Sequence, residues 1–201
     1  VSSYHLFYAD EIGNPGTDLT FFDIPRMGGR RPGAASISNV GLRVRDTEAL
    51  NRWAERLTEL GVEHDAIEER AGRRTLGLRD FEGQRLVLVA DDGEDGVPGG
   101  TPWEKGPVPS EWAIRGLGPV TLTVNDAAHT ARTLTDVMGF REQGSYRIGT
   151  GAYAERLVFA TGQGGAGAEV HISERPDLPR EQLGRGSVHH VAFRVPNDEE
   201  Y

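Results

Sequence analysis

One strand-like pattern occurs three times along the chain, in segments Asn39–Val44, Gly118–Val124 and His189–Val195. An internal repeat constrains the fold more strongly than local propensity does, because each copy must form the same structural unit. The last copy alone begins with two histidines, His189 and His190. The difference between copies therefore indicates where chemistry has been added to a repeated scaffold.

The first two copies are followed by the same succession of elements. Asp46 and Asp126 are N-cap candidates, and apolar residues then recur at helical spacing until Gly61 and Gly139, which favour a left-handed helix end. Further strand-like runs come next, at residues 74–79 and 84–90 in one unit and 145–149, 152–160 and 168–173 in the other. Each unit reads β-α-β-β-β. We predict an α+β fold in which paired modules form a cupped mixed sheet with helices on its outer face.

Both ends of the chain interrupt this repeat. Residues 4–9 and 18–22 resemble the last two strands of an earlier module, and residues 190–195 the opening strand of a fourth. The expected division is a first module pair at residues 1–92, a Gly/Pro/acid-rich linker at 93–113 and a second pair at 114–201. The first and last modules are incomplete, so we expect a fragment of a longer protein. Homo-oligomerisation by module exchange stays open.

The composition excludes several classes of function. With 22 Lys and Arg against 31 Asp and Glu, the formal charge is −9, and the arginines are scattered, so nucleic-acid binding is not expected. Cysteine is absent, which rules out disulfides and thiolate metal ligands. No apolar run approaches the ~20 residues of a membrane helix. We expect a cytoplasmic protein.

Strand alternation gives each repeated strand a helix-facing side and an opposite side. When two modules pair, their opposite sides line a shared cup of the kind that holds small ligands. The alternation places Glu169, His171 and Ser173 on the cup side of one strand, and His190 on the cup side of another. His171 and His190 are therefore expected to face one cavity. Tyr146 and Tyr153 are both candidates to supply a hydroxyl group near such a histidine, and a place in the core or in the cup wall is the alternative for each.

Several segments resemble the hydroquinone-type ring-cleaving dioxygenases: Tyr4–Thr17, Gly106–Pro109, Ile114–Gly116 and the His189–His190 pair. Those enzymes belong to the vicinal oxygen chelate superfamily, together with glyoxalase I and the bleomycin-resistance proteins. The resemblance implies Fe(II), or in some members Mn(II), held by two histidines and one glutamate. Such a site leaves coordination positions open for a small aromatic substrate and O2.

Transferred residue by residue, the resemblance implies that His190 is the second histidine ligand. The first falls at Gly118, which has no side chain, and the glutamate falls after Tyr201. His171 is the best substitute within the chain, and no catalytic acid or base is assigned. Two alternatives to an Fe(II) ring-cleaving dioxygenase stay open. One is a glyoxalase-like metal-dependent lyase or isomerase, and the other is an aromatic-binding protein with a decayed metal site and no cofactor.

Overall fold

The computed structural model describes residues 3–92, 96–195, 197 and 199. Its ten strands and two α-helices follow the chain in this order: β1 (Tyr4–Tyr8), β2 (Leu19–Asp23), β3 (Ser36–Val44), α1 (Thr47–Glu59), β4 (Glu68–Arg70), β5 (Arg73–Arg79), β6 (Arg85–Ala90), β7 (Leu117–Val124), α2 (Ala127–Arg132), β8 (Arg141–Arg147), β9 (Glu155–Ala160) and β10 (Glu169–Glu174). A π-helical turn (Thr133–Val137) continues α2, and a 3-10 turn (Ala166–Ala168) precedes β10.

Both predicted helices begin at the predicted caps. The Asp46 side chain accepts a hydrogen bond from the Ala49 backbone N–H, and Asp126 accepts one from the His129 N–H. Each cap satisfies a backbone donor that the first helical turn leaves without an intrahelical partner. Gly61 and Gly139 follow with φ of 68° and 67°, the left-handed conformation expected at a helix end.

Strands β3 to β10 form one eight-stranded sheet in the order β4-β5-β6-β3-β7-β10-β9-β8. The order is symmetric about its centre, where β3 and β7 pair antiparallel, while β3–β6 and β7–β10 are parallel. Each half is one complete β-α-β-β-β module, and we call β3–β6 with α1 the first half and β7–β10 with α2 the second. The predicted α+β cupped sheet is confirmed.

The two complete modules therefore pair with each other. The division into module pairs at 1–92 and 114–201 stays a prediction. The central strand pair of the sheet takes one strand from each range, β3 from the first and β7 from the second. Repeat counting identifies modules without saying which of them share a sheet. That pairing depends on contacts between strands more than 70 positions apart.

The core lies on the helix side of the sheet, in one apolar cluster per half. The first half buries Leu50, Leu57 and Leu76 under α1, and the second buries Phe159 and Ile172 under α2. Because the apolar side of each strand packs against its helix, the opposite sides line the cup. Among the described residues, no helix is long and apolar enough to cross a membrane.

Outside this sheet, β1 and β2 form a separate two-stranded antiparallel pair. Its aromatic side chains, including Tyr4, Phe7 and Phe22, are exposed. The prediction of a strand at residues 190–195 is wrong, because these residues have no regular secondary structure. Instead, Val188 makes an isolated bridge to Ile37, and no neighbouring strand among the described residues offers residues 190–195 a ladder.

The segment predicted as a linker packs closely on the first half. Buried Arg43 donates to the carbonyls of Val97 and Pro98 and forms an ion pair with Asp91. Trp53 of α1 donates its indole N–H to the Trp112 carbonyl at 2.7 Å. These contacts fix the described linker residues on the sheet and on α1.

Residues 10–17 belong to Tyr4–Thr17, the most specific segment of the resemblance, and they pack against the same linker. Asp10 accepts hydrogen bonds from the Asn14 backbone and side chain and from the Thr101 backbone N–H. Leu117, the first residue of β7, donates its N–H to the Gly16 carbonyl at 2.8 Å. The loop between β1 and β2 is thereby attached to the start of the central strand β7.

Candidate functional site

Four polar side chains form a continuous hydrogen-bonded chain across the cup, and we call them the cup cluster: Arg73, Glu169, His171 and Tyr146. Arg73 Nη1 donates to Oε1 and Oε2 of Glu169 at 2.9 and 3.0 Å. His171 Nε2 lies 3.2 Å from Glu169 Oε2, and His171 Nδ1 lies 3.0 Å from the Tyr146 hydroxyl. Arg73 comes from the first half and the other three come from the second, so the cluster bridges the two modules.

Strand alternation explains how these side chains meet. Glu169 and His171 are two residues apart on β10 and therefore point to the same side of the sheet. Tyr146 lies on β8 and pairs with Arg156 of β9, while His171 pairs with Val158 of the same strand. Arg156 and Val158 are two residues apart, so Tyr146 and His171 lie on the same side of the sheet. The predicted cup-side positions of Glu169 and His171 are thus where the structure places them, and both side chains are more than nine-tenths buried.

The protons in the cluster follow from its chemistry. A carboxylate accepts hydrogen bonds without donating, so His171 carries a proton on Nε2 toward Glu169. In the neutral imidazole, Nδ1 is then the acceptor for the Tyr146 hydroxyl. Burial raises the pKa of Tyr146 above its ordinary value, which keeps the hydroxyl protonated and able to donate. Arg73 supplies the positive charge that balances the buried Glu169 carboxylate.

Two cavities border the cluster. The larger, of about 650 Å³, lies between the β4–β5 hairpin and β8–β10, and its walls include Arg73, Tyr146 and Glu169. The smaller, of about 20 Å³, lies deeper and is bordered by His171 and Tyr146. Its wall also includes Asn39, whose buried side-chain oxygen has no hydrogen-bond partner. The larger cavity has the size of a small-molecule site, whereas the smaller one has room for about one water.

His190, the other predicted ligand, lies elsewhere. Its side chain is exposed, and its Nδ1 lies 2.9 Å from Nδ1 of His189. The His189 ring meets Phe22 of β2 edge-on, with a centroid distance of 6.5 Å, and Phe22 in turn stacks on His5 at 4.0 Å. His190 is in the lining of neither cavity beside His171. The structure therefore does not bring His171 and His190 into one site.

The cup cluster does not fit the expected metal site. Both ring nitrogens of His171 are engaged by Tyr146 and Glu169, and both oxygens of Glu169 accept from Arg73. In the part of the chain that the structure describes, no three His, Asp or Glu side chains are grouped so that they could hold a metal. A facial triad of two histidines and a glutamate is not complete within these residues.

Gly118, where the resemblance expects the first histidine, has a structural reason to be glycine. It lies where β7 pairs with β3, and a Cβ on Gly118 would lie 3.1 Å from the Gly41 carbonyl carbon. A Cβ on Gly41 would lie 2.6 Å from the Pro119 carbonyl oxygen, nearer than side chains pack. A side chain at Gly118 would require the β3 backbone to shift by a few tenths of an ångström, so glycine at this position favours the close pairing of the two modules.

Sequence reasoning missed Arg73 and did not assign a role to Glu169. The available signal was the alternation on β5, which places Arg73 and Thr75 on the side opposite buried Leu76. Nothing in the sequence, however, indicates that Arg73 meets a residue 96 positions away. That contact requires the register of the whole sheet.

Residues 116–201 match the family model described as the Glyoxalase/Bleomycin resistance protein/Dioxygenase superfamily. Among curated proteins, the chain is 52% identical over 198 residues to MhqA of Bacillus subtilis (strain 168), which is named as a ring-cleaving dioxygenase. That match covers 98% of this chain and 61% of MhqA. The chlorohydroquinone/hydroquinone 1,2-dioxygenase of Sphingobium indicum (strain UT26S and synonyms) is 30% identical, over 96% of this chain and 58% of the relative. The chain thus spans about three fifths of the length of these relatives.

Solved structures agree with the fold. A crystal structure of a protein named as a dioxygenase, from Bacillus subtilis subsp. subtilis str. 168, superposes with a TM-score of 0.82 at 29% identity. The superposition covers 98% of this chain and 59% of the Bacillus chain. Glyoxalase I from Zea mays superposes with a TM-score of 0.60 at 10% identity over 90% of this chain and 57% of its own, a likeness of fold alone.

Proposed function

We propose that the chain belongs to the glyoxalase/bleomycin resistance/dioxygenase superfamily, whose model matches residues 116–201, and that it acts as a ring-cleaving dioxygenase on a hydroquinone- or catechol-like aromatic compound. The second substrate is O2, and both of its atoms enter the ring-opened product. The observation that carries the proposal is the 52% identity to MhqA, which extends over 98% of this chain. The similarity therefore includes both halves of the sheet and the hairpin that precedes it.

The surface around His190 is the part of the chain that we assign to this activity. His190 is exposed beside His189, and the aromatic side chains of the β1–β2 hairpin lie next to that pair. Exposed aromatic rings favour stacking with a planar substrate. We propose His190 as a ligand for Fe(II), or for Mn(II), a metal that when bound brings a hydroxylated ring and O2 together. Among the residues that the structure describes, His190 is the one that we assign as a ligand.

Oxygen consumption by the protein tests this proposal. After anaerobic incubation with Fe(II), hydroquinone is expected to start oxygen uptake, and His190→Ala is expected to lower its rate at least ~100-fold, because metal ligation is lost. His129→Ala is the matched control, since His129 is an exposed histidine on α2 and its backbone alone takes part in hydrogen bonds.

The outcomes separate the assignments. Equal rates for the His190→Ala and His129→Ala proteins mean that His190 is not a ligand. No oxygen uptake with hydroquinone or catechol, under Fe(II) or Mn(II), means that the dioxygenase proposal fails. Metal-dependent turnover of a hemithioacetal without oxygen uptake identifies the glyoxalase-like alternative instead.

A second candidate is a metal-free protein that binds an aromatic compound. The observation that favours it is that both ring nitrogens of His171 are engaged in hydrogen bonds within the cup, with Tyr146 and with Glu169. Equilibrium dialysis against Fe(II) and Mn(II) distinguishes the two candidates. Retention of either metal by the native protein but not by His190→Ala supports the enzyme, and retention of neither supports the binding protein.

A further inference from the structure

We propose that the cavity of about 650 Å³ beside the cup cluster is a binding site for a small organic anion that carries a hydroxyl group at its opposite end. Neither His189 nor His190 lines this cavity, so the inference does not depend on the function proposed above. Its volume lies within the ~300–1,000 Å³ range of small-molecule sites.

The cavity is built where the two ends of the sheet approach each other. One wall is the β4–β5 hairpin of the first half, with Glu69, Ala71 and Gly72 at its tip. The other wall is β8, the opposite edge strand, together with the turn at residues 163–165. Because each module supplies one wall, the shape of the cavity depends on how the two modules are placed. Clefts between structural units are common places for ligands.

Arg141 provides the anion-binding end. It lies on β8, and its guanidinium donates one hydrogen bond, to the Gly162 carbonyl at 2.8 Å. Within the described part of the chain, Arg141 forms no ion pair with a carboxylate. A guanidinium has five N–H donors in a planar fork that matches a carboxylate, so most of this capacity is available to a ligand.

The other charges in the lining favour this orientation of the ligand. Arg73 and Glu169 neutralise each other through their two hydrogen bonds. Glu69 is exposed on the hairpin side, across from β8, and its negative charge disfavours an anionic group at that wall. The position beside Arg141 is therefore the favourable one for an anion.

Tyr146 provides the hydroxyl-binding end. With the His171 tautomer assigned above, the Tyr146 hydroxyl donates to His171 Nδ1, 3.0 Å away, and the lone pairs on its oxygen can accept a hydrogen bond from a ligand hydroxyl. The chain from Arg73 through Glu169 and His171 holds Tyr146 in place before any ligand arrives, which reduces the ordering cost of binding.

The spacing on β8 sets the length of the ligand. Arg141 and Tyr146 are five residues apart on β8, and the irregularity between Glu142 and Gly144 puts them on the same side of the sheet. Their partners on β9 are Ala160 and Arg156, four positions apart, which corresponds to roughly 13 Å at the usual strand rise. Both residues line the cavity and both side chains are long, so the gap between their polar ends is one that a ring or a chain of several carbons fills. An anion with its hydroxyl at the far end matches this spacing better than a compact one.

Isothermal titration calorimetry of the native protein tests the site with 4-hydroxybenzoate and 4-hydroxybutanoate as probes. Benzoate lacks the hydroxyl group, and 4-hydroxybenzyl alcohol lacks the anionic group. We expect at least one of the two hydroxylated anions to bind. Benzoate and 4-hydroxybenzyl alcohol, which each lack one of the two groups, are expected to bind at least ~10-fold more weakly than 4-hydroxybenzoate, because each loses a hydrogen bond to the site.

Two variants with matched controls locate the binding. Arg141→Gln and Tyr146→Phe are each expected to weaken binding at least ~5-fold. Arg147→Gln is the control for the first, because Arg147 is an exposed arginine on the same strand that also donates to one backbone carbonyl, that of Gly151. Tyr153→Phe is the control for the second, because Tyr153 is exposed and outside the cavity lining.

Each result decides the proposal. Weakening by the two cavity variants and not by the two controls supports it. Absence of binding by both hydroxylated anions overturns it, as does binding that Arg141→Gln leaves unchanged. Binding that His190→Ala abolishes also overturns it, because the ligand then occupies the surface around His190. Arg141 is exposed and contributes nothing to the core, so its variant remains informative even if Tyr146→Phe lowers stability.

Discussion

Arg73 is the residue on which the cup cluster depends most directly, because it balances the charge of buried Glu169. Removing one member of a buried ion pair leaves the other without compensation, a change that costs about 3–5 kcal/mol. Arg73→Gln is therefore expected to lower the free energy of unfolding by about 3 kcal/mol in urea denaturation. The neighbouring Arg74→Gln, which loses one exposed contact to the Ile67 carbonyl, is expected to change it by less than about 0.5 kcal/mol. Similar losses in both proteins would contradict the role assigned to Arg73.

Asp10 gives the second prediction for a single residue. Burial acts to raise its pKa, but hydrogen bonds from Asn14 and Thr101 outweigh this and lower the pKa to about 2. A carboxyl whose pKa is depressed in the folded state stabilises that state fully above its unfolded pKa, near 3.8, and loses the effect as the pH falls toward 2. The native protein is expected to be more stable than Asp10→Asn at pH 6, with the difference disappearing between about pH 4 and pH 2. A difference that is constant with pH, measured by urea denaturation, would show that the Asp10 charge is not involved.

Residue-level features were predictable from sequence where they depend on near neighbours. Asp46 and Asp126 cap their helices as expected, because a cap needs only the next three residues. The partners of His171 were not predictable in the same way. Tyr146 is 25 positions from His171, and Glu169 meets Arg73 across 96 positions, so both contacts arise from strand register.

At the level of elements, the antiparallel pairing of β3 with β7 connects the two modules. Gly41 and Gly118 allow the two backbones to approach, and a Cβ on Gly41 would lie 2.6 Å from a Pro119 backbone atom. Gly41→Ala is expected to destabilise the protein by about 3 kcal/mol, since rigid backbone must move to admit the methyl group. Gly151→Ala, at a position with no atom within 4 Å, is the control. Thermal unfolding measures both, and a melting temperature for Gly41→Ala equal to that of the control would refute the close approach.

Elements with a clear period were identified from sequence, and irregular ones were not. The strand runs at 74–79 and 84–90 correspond to β5 and β6 within one residue at each end. The three-residue strand β4 is charged throughout and has no alternation to detect. The strand expected at residues 190–195 fails because similarity to β3 and β7 gives a propensity, whereas a strand also requires a partner.

At the level of the whole molecule, the two halves are joined by the central strand pair and by the Arg73–Glu169 ion pair. The linker contacts β3 through Arg43, and the loop at residues 10–17 connects that linker to the start of β7. We expect them to unfold together, in one calorimetric transition whose van't Hoff and calorimetric enthalpies agree. Two resolved transitions in differential scanning calorimetry would mean that each module is stable without the other. The sequence predicted the modules and the cup but not this mutual dependence.

The placement of the tryptophans has a practical consequence. All three belong to α1 or to the linker: Trp53, Trp103 and Trp112. None of them lines either cavity, while the one tyrosine that does is Tyr146. Tryptophan emission from this protein therefore reports how the linker packs against the first helix, and we expect it not to change directly when a ligand binds in the cup. A ligand in the cup must be followed through heat or through tyrosine ultraviolet absorption, and a shift in tryptophan emission on ligand addition would instead report movement at the linker.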